Sequence, residues 1–374
     1  MRGKTIESTT NPYSSLKKVF IDFAYSKLVI SYTKASLTFH VLSLLLEVYY
    51  LVTNFSVELI CRYGCMMCLM TYVVATKLVG TMYSKKLKLL EKPCLLDFWK
   101  VYNSSTATQR LISEKSSKTN RRLYCALTCC FFLAIILFPI WGDLNEFFIF
   151  SQVYEKYFTS WAPAFCYFYV STLLWCCFYC FHLPGIIMYL TLHLDLQFKL
   201  IKDKITEIDK NCSQKEIYQI LRLCISHHVA LKKWMDKLAD LLVTIMPFFF
   251  LFGALNSIAT SFFVLYTLQN TTMILKIRLG TLTLCNFIIV STFAEVGQIF
   301  SGQNNSLFEQ LMDCSWYLWN IKNRKTLLMF MLNCMKPKTF SWGGITLNYS
   351  FVLFILKTSL SYASVLFKLR GETF

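Results

Sequence analysis

Seven apolar stretches, each long enough to cross a bilayer, punctuate this chain so that nearly all of its Lys and Arg fall on one side of the membrane. The spans read as 37–53, 57–82, 123–142, 166–190, 238–268, 272–298 and 343–369, each at or above the ~17–20 residues a hydrocarbon core requires. The arm to residue 36 holds six basic residues, 84–122 holds ten, 191–237 nine and 299–340 five. The opposite loops, 54–56, 143–165 and 269–271, and the tail after 367 hold only Lys156, Lys368 and Arg370. Arg62, Lys77, Lys276, Arg278 and Lys357 lie within spans or at their ends, where long stems can snorkel. The positive-inside rule therefore predicts a cytoplasmic amino terminus, and an odd number of crossings an extracellular carboxyl terminus.

Composition enters through what it excludes. With 55% hydrophobic and 16% charged residues, the chain reads as a polytopic, all-α membrane protein. A net charge of +17 could suggest nucleic acid, but the basic residues are spread over four segments without a groove-reading motif. The charge instead predicts sidedness and contact with anionic inner-leaflet lipids. The first 36 residues lack an apolar core with a cleavage site, so the first span is expected to serve as the insertion signal. The orientation is the reverse of a G-protein-coupled receptor. Asn11-Pro12-Tyr13 lies in the amino-terminal arm instead of a seventh span, and no acidic-Arg-aromatic triplet closes the third. A transporter would need paired intramembrane charges or inverted repeats, which the chain does not display.

Nothing in the chain predicts an enzyme. His227 and His228 are adjacent, hence about 100° apart on a helix, and cannot both face one metal as His at i and i+4 do. His193 and Asp195 are similarly mismatched and predict a buried or interfacial polar role. No catalytic residue, metal site or cofactor is expected. Most of the 16 cysteines fall inside spans, where a thiol acts as a small apolar group. Cys61, Cys65 and Cys68 have a cluster-like spacing but sit on a transmembrane helix without the loop that would wrap a cluster. Of the Asn-x-Ser/Thr sequons, Asn54 and Asn270 fall in predicted external loops and are the glycosylation candidates.

Between spans four and five the helical rhythm continues. Leu194, Phe198, Ile201 and Ile205 recur on one face, and Ile217, Ile220, Leu221, Cys224, Leu231 and Trp234 stripe the run into span five. A third run, roughly 304–334, carries Leu307, Leu311, Trp316, Trp319, Leu327, Phe330 and Leu332 before Pro337. Such stripes need partners, so spans four to six are expected to extend into a cytoplasmic helical bundle or a subunit interface.

These segments carry a resemblance. His193-Leu194-Asp195-Leu196-Gln197-Phe198, Cys224-Ile225-Ser226-His227-His228, Ser315-Trp316-Tyr317, Pro337 with Gly343-Gly344, and Lys357-Thr358-Ser359-Leu360-Ser361-Tyr362 occur in this order over roughly 190–370. Together with the inverted topology, this pattern resembles the insect odorant receptors. Ser361-Tyr362-x5-Lys368-Leu369 fits that branch better than the gustatory receptors, whose shared architecture is the alternative.

The resemblance implies an odorant-gated, non-selective cation channel in the plasma membrane of a sensory neuron dendrite, with no partner nucleic acid. Because 191–237 has no room for the co-receptor's long insert, it implies a tuning subunit working in a heterotetramer with that co-receptor. The implied division is an arm (1–36), spans one to four with the ligand region in their outer half (37–190), an anchor extension (191–237), spans five and six (238–298), an anchor helix (299–340), and a pore-lining helix with a short tail (341–374). Val365 and Leu369 fall where the family places its hydrophobic constriction, one turn apart, a spacing suited to gating by dewetting. Lys368 departs from the family's Gln; either one such subunit is tolerated or the ammonium turns out to the headgroups. For a small volatile ligand the implied outer-half candidates are Tyr63, Met66, Met67 and Met70 in span two, Phe138 and Trp141 in span three, and Tyr167, Phe168, Ser171, Thr172 and Trp175 in span four. Phe168, Ser171, Thr172 and Trp175 follow i, i+3, i+4, i+7 and share a face.

Overall fold

The structure is a computed structural model that describes residues 11–137, 145, 148–208, 212–267, 272–335, 340–342 and 345–373. A short arm helix, α1 (Ser14–Lys17), runs through a π-helical turn (Lys18–Phe23) into α2 (Lys27–Thr53). Then come α3 (Val57–Met82), α4 (Ser84–Leu96), α5 (Thr106–Leu137), α6 (Phe150–Phe158), α7 (Ala162–Ser171) and α8 (Leu173–Thr206). The long α9 (Gln214–Thr267) and α10 (Met273–Met312) follow, then α11 (Ile321–Cys334), a hairpin of β1 (Ser341–Trp342) and β2 (Ile345–Thr346), and α12 (Tyr349–Thr373). Among the described residues, five helical stretches are long and apolar enough to cross a membrane, and Tyr349–Val365 is a shorter apolar helix.

Several helices overrun their predicted spans. The first starts at Lys27 instead of 37, and the third at Thr106 instead of 123. Both extensions are more polar than the spans they lengthen, and part of that polarity is matched inside the protein. Asp203 of α8 caps the start of α5 by accepting from Ser105 N (2.8 Å), Ser105 Oγ (2.5 Å) and Thr108 Oγ1 (2.7 Å). The seventh helix begins at Tyr349, not 343, because Ser341–Trp342 and Ile345–Thr346 pair as strands ahead of it. Nor is the run 304–334 one helix. It breaks after Met312, passes through a 3-10 turn (Trp316–Leu318), and restarts where Asn320 Oδ1 accepts from Asn323 N at 2.8 Å. The loop 143–165 contains a helix, α6, with Phe150, Val153 and Tyr154 buried.

α8 is the hub. Nearly its whole surface is buried, as expected for a helix apolar on all sides. By contrast α2 is turned inside out. The residues it buries are Thr33, Ser36, His40, Ser43 and Glu47, while Leu42, Leu45, Tyr49 and Val52 are exposed. In water that would be untenable; against lipid it is favourable, because apolar side chains lose nothing there and polar ones bond across helices. Thr33 bonds Tyr179 Oη (3.0 Å), Lys77 Nζ donates to Ser36 Oγ (2.9 Å), His40 Nε2 meets Thr172 Oγ1 (2.9 Å), and Ser43 Oγ meets Tyr154 Oη (2.5 Å).

At the end of the molecule rich in basic residues, the apolar stripes are buried: Leu194, Phe198, Ile201, Ile205, Ile217, Leu221, Cys224, Leu231, Trp234, Leu307, Leu311, Trp319, Leu327 and Phe330. Trp316 and Leu332 remain exposed. Polar residues in the motifs quoted above tie the helices together. Gln197 donates through Nε2 to Trp99 O (3.1 Å), so its Oε1 accepts from both Trp99 N and His227 Nε2 (3.0 Å each). His228 pairs with Asn304 (3.3 Å), and His193 packs edge-on against Tyr13 and Tyr189.

This packing sets a pH limit. Burial, reinforced by Lys100 and Lys17, lowers His193 to about 3; burial, then His228, lowers His227 to about 4. In the unfolded chain these imidazoles protonate near 6.5. Stability is therefore full above that value and is lost as pH falls from 6.5 toward 4, because only the unfolded state takes up protons there. The detergent-solubilised chain is expected to unfold several degrees lower at about pH 5 than at about pH 7.5. A thermal melt at each pH checks this, and replacing His227 by Gln should flatten the dependence.

Candidate functional site

Two cavities lie on opposite faces of α3. The larger is walled by Cys65, Leu69 and Tyr72 of α3, Cys180 and Phe181 of α8, Met246, Phe249, Gly253, Asn256 and Thr260 of α9, Leu282, Asn286, Ile289 and Phe293 of α10, and Phe351 and Ile355 of α12. Its mostly apolar, aromatic wall suits a small organic molecule. Tyr72, Phe249 and Phe293 form a ring-to-ring series at 5.7 and 5.1 Å between centroids. Few polar groups interrupt the wall. Thr260 Oγ1 donates to Asn256 O (2.7 Å), and Asn286 Nδ2 donates to Ser257 Oγ (3.0 Å). Asn256 brings an amide to the cavity from the apolar, carboxyl-terminal part of α9. A Cβ built on Gly253 would meet no atom within 4 Å.

The smaller cavity, with room for about one water molecule, lies toward α6 and is lined by Glu47, Tyr63, Met66, Met67, Met70, Phe148, Ile149, Phe150 and Tyr169. Tyr63 Oη donates to Asn145 O (2.6 Å) and accepts from Gln152 Nε2 (2.9 Å). Phe150 stacks on Tyr169 at 4.0 Å.

Of the predicted ligand residues, the structure brings together Tyr63, Met66, Met67 and Met70 around this smaller cavity. The span-four set lies elsewhere. Tyr167 is 81% exposed, and Phe168, Ser171, Thr172 and Trp175 turn toward α2 or outward. Phe168 meets the ring of Phe39 (4.7 Å), Thr172 bonds His40, and Trp175 Nε1 donates to Thr33 Oγ1 (3.2 Å). Helical spacing put the four on one face but could not say which neighbour that face meets. Phe138, Trp141 and Asn270 lie outside the described residues. Asn54 ends α2 with its amide engaged: Nδ2 donates to Tyr50 O (2.9 Å), and Oδ1 accepts from Lys156 Nζ (2.9 Å). The sequence reading missed the α9 and α10 wall of the larger cavity, although an asparagine deep in each of two apolar spans was a signal for it.

On α12, Phe351, Val352, Ile355, Ser359 and Ala363 are buried, largely against α9, whereas Val365 is 54% exposed and Lys368 is exposed. Leu369 belongs to the same helix.

The sequence profile of the 7tm odorant receptor family matches residues 47–362. The chain belongs to that family. No curated protein matches this odorant receptor by sequence. Among solved structures, its fold is similar to the insect olfactory receptor OR5 from Machilis hrabei, with a TM-score of 0.73, 12% identity, and 92% and 90% of the two chains covered. It is also similar to the same receptor solved in complex with eugenol, with a TM-score of 0.67, 14% identity, and 92% and 91% covered. The receptor is thus a multi-pass membrane protein with the seven-helix fold of insect odorant receptors.

Proposed function

We propose that this odorant receptor is a tuning subunit of a ligand-gated, non-selective cation channel, assembled as a heterotetramer with the odorant co-receptor in the plasma membrane. The observation that carries the proposal is the wall of the larger cavity. Phe351 and Ile355 of α12 line it, and the same helix carries Val365 and Lys368 on the side it does not pack within the chain. A volatile molecule seated there touches the helix proposed to line the pore, so occupancy biases that helix directly. The structural similarity to a receptor solved with eugenol supports a ligand of small, mostly apolar character. Asn256 is proposed to read its polar atom, and Tyr63, Met66 and Met70 to form a neighbouring wall that adapts to it. The buried stripes at the basic end support the anchor role, with that end cytoplasmic; exposed Leu328, Met329 and Leu332 of α11 offer it a surface for other subunits.

Ligand-evoked current in a heterologous cell tests the reading, with the chain expressed alone and with the co-receptor under G-protein blockade. Current only on co-expression and surviving blockade is the expected result. Current from the chain alone would favour a gustatory-type, self-sufficient channel, and loss under blockade would overturn the channel reading. Gly253 lines the larger cavity and has open space at its Cβ, so Gly253→Phe is expected to reduce sensitivity to volatiles by at least about tenfold, with surface expression unchanged.

A further inference from the structure

A trough between α9, α10 and α12 runs beside the larger cavity and shares Thr260, Asn286, Val290 and Ile355 with it. Its volume is about 380 Å³, within the range of small-molecule sites. It lies about two turns in from the facing ends of α9 and α10, at Ser261 and Gly280. Hydroxyls at this depth mostly bond their own helix: Thr260 Oγ1 donates to Asn256 O (2.7 Å), Thr283 Oγ1 to Leu279 O (2.8 Å) and Ser364 Oγ to Leu360 O (2.7 Å). Ser359 of α12 departs from this. It lines the trough, is 3% exposed, and makes no side-chain hydrogen bond among the described residues. From α10, Asn286 commits its Nδ2 to Ser257 Oγ (3.0 Å), and its Oδ1 has no donor among the described residues. Two such groups lining one cleft of an apolar bundle are costly to leave unfilled, and a lipid chain fills neither. Asn286 Oδ1 needs a donor, whereas the Ser359 hydroxyl can give or accept. A single O–H group serves both.

We propose that this trough is a second binding site, for a short-chain aliphatic alcohol whose hydroxyl is bonded by Asn286 and Ser359 and whose tail lies against Val352, Leu356 and Phe287. A ketone of the same length accepts but cannot donate, so it leaves Asn286 Oδ1 unpaired and binds more weakly. Because Ser359 belongs to the helix proposed to line the pore, the alcohol acts on α12 from a position of its own, whatever occupies the larger cavity.

Photolabelling of the purified full-length chain in lipid nanodiscs with a diazirine-bearing alcohol, the labelled peptides being read by mass spectrometry, tests this. Saturable labelling of trough residues is expected, displaced by hexanol at least about tenfold more effectively than by hexanone. Ser359→Ala removes one oxygen and suits a helix, and should weaken labelling at least about tenfold. Gly280 lines the trough and has open space at its Cβ, so Gly280→Phe should abolish labelling with Ser359 still in place. No saturable labelling of the trough, equal displacement by hexanol and hexanone, or labelling that survives either substitution undiminished would overturn the proposal and leave the trough to lipid chains or water. Because neither current nor the co-receptor enters this measurement, its failure and that of the channel reading are separable.

Discussion

Replacing Asp195 by Asn is expected to be among the most damaging single substitutions at the basic end of this receptor, costing about 3 kcal/mol. Asp195 sits on α8 where three elements converge. Its Oδ2 takes Lys115 Nζ of α5 at 2.9 Å and Lys199 Nζ at 3.2 Å, and its Oδ1 accepts from Gln303 Nε2 of α10 at 3.0 Å. Burial pushes the carboxyl up, but the two ammonium groups and their hydrogen bonds more than offset this and hold it below the ordinary carboxylate range. The pairing is therefore present at neutral pH and is lost only as pH falls through that lowered value. Asn would keep an acceptor for the two ammonium groups but remove the negative charge that compensates them in a half-buried space. The measurement is a thermal melt of the solubilised protein, with the yield of monodisperse material as a second readout. Lys115→Met combined with Asp195→Leu should recover part of the loss, because it leaves one cation without its carboxylate instead of two. Equal damage from both variants would point to packing alone.

Gly297→Ala should be nearly as harmful although it adds one methyl group. A Cβ at Gly297 of α10 would stand 2.0 Å from Leu347 O and 2.7 Å from Leu347 C. These are backbone atoms in the segment that feeds α12, so no side-chain rotation relieves the clash. The segment is also pinned on its other side: Leu347 N donates to Phe340 O at 2.9 Å, and Phe340 stacks on Phe300 at 3.8 Å. Overpacking against a fixed backbone costs about 1–3 kcal/mol, and here it falls at the joint between the sixth and seventh spans. Lower thermal stability is expected together with altered ligand-evoked current, since α12 cannot keep its position relative to α10. Gly302, where a Cβ meets nothing within 4 Å, is the matched control on the same helix and should accept Ala without loss.

Particular residues show how far the sequence could be read. The stripe Leu194, Phe198, Ile201 and Ile205 specified its own burial, because helical period and apolarity are both written locally. Likewise His193 and Asp195 were legible as interior polar residues from their place beside that stripe. Phe168 and Trp175 were a different case. Their common face followed from spacing, but its neighbour, α2, is set by long-range packing that no local pattern encodes. The break after Met312 was missed because Trp316 and Leu318 extend the apolar rhythm, although Asn320 carried a capping signal. The inverted α2 was hidden for a related reason. In an apolar span, both lipid and protein accept hydrocarbon, so hydropathy alone does not say which face turns inward.

The sequence by itself determined that this is a helical membrane protein, roughly where its apolar spans lie, and that the helices around 190–237 and 300–334 carry buried seams. Each of these depends on counts and periods within one segment. Only the tertiary structure decided which faces enclose the two cavities, that α12 closes the larger of them, and that Ser359 lines the trough beside it. A cavity is what remains where several distant helices fail to meet, and that depends on the shapes of all of them at once.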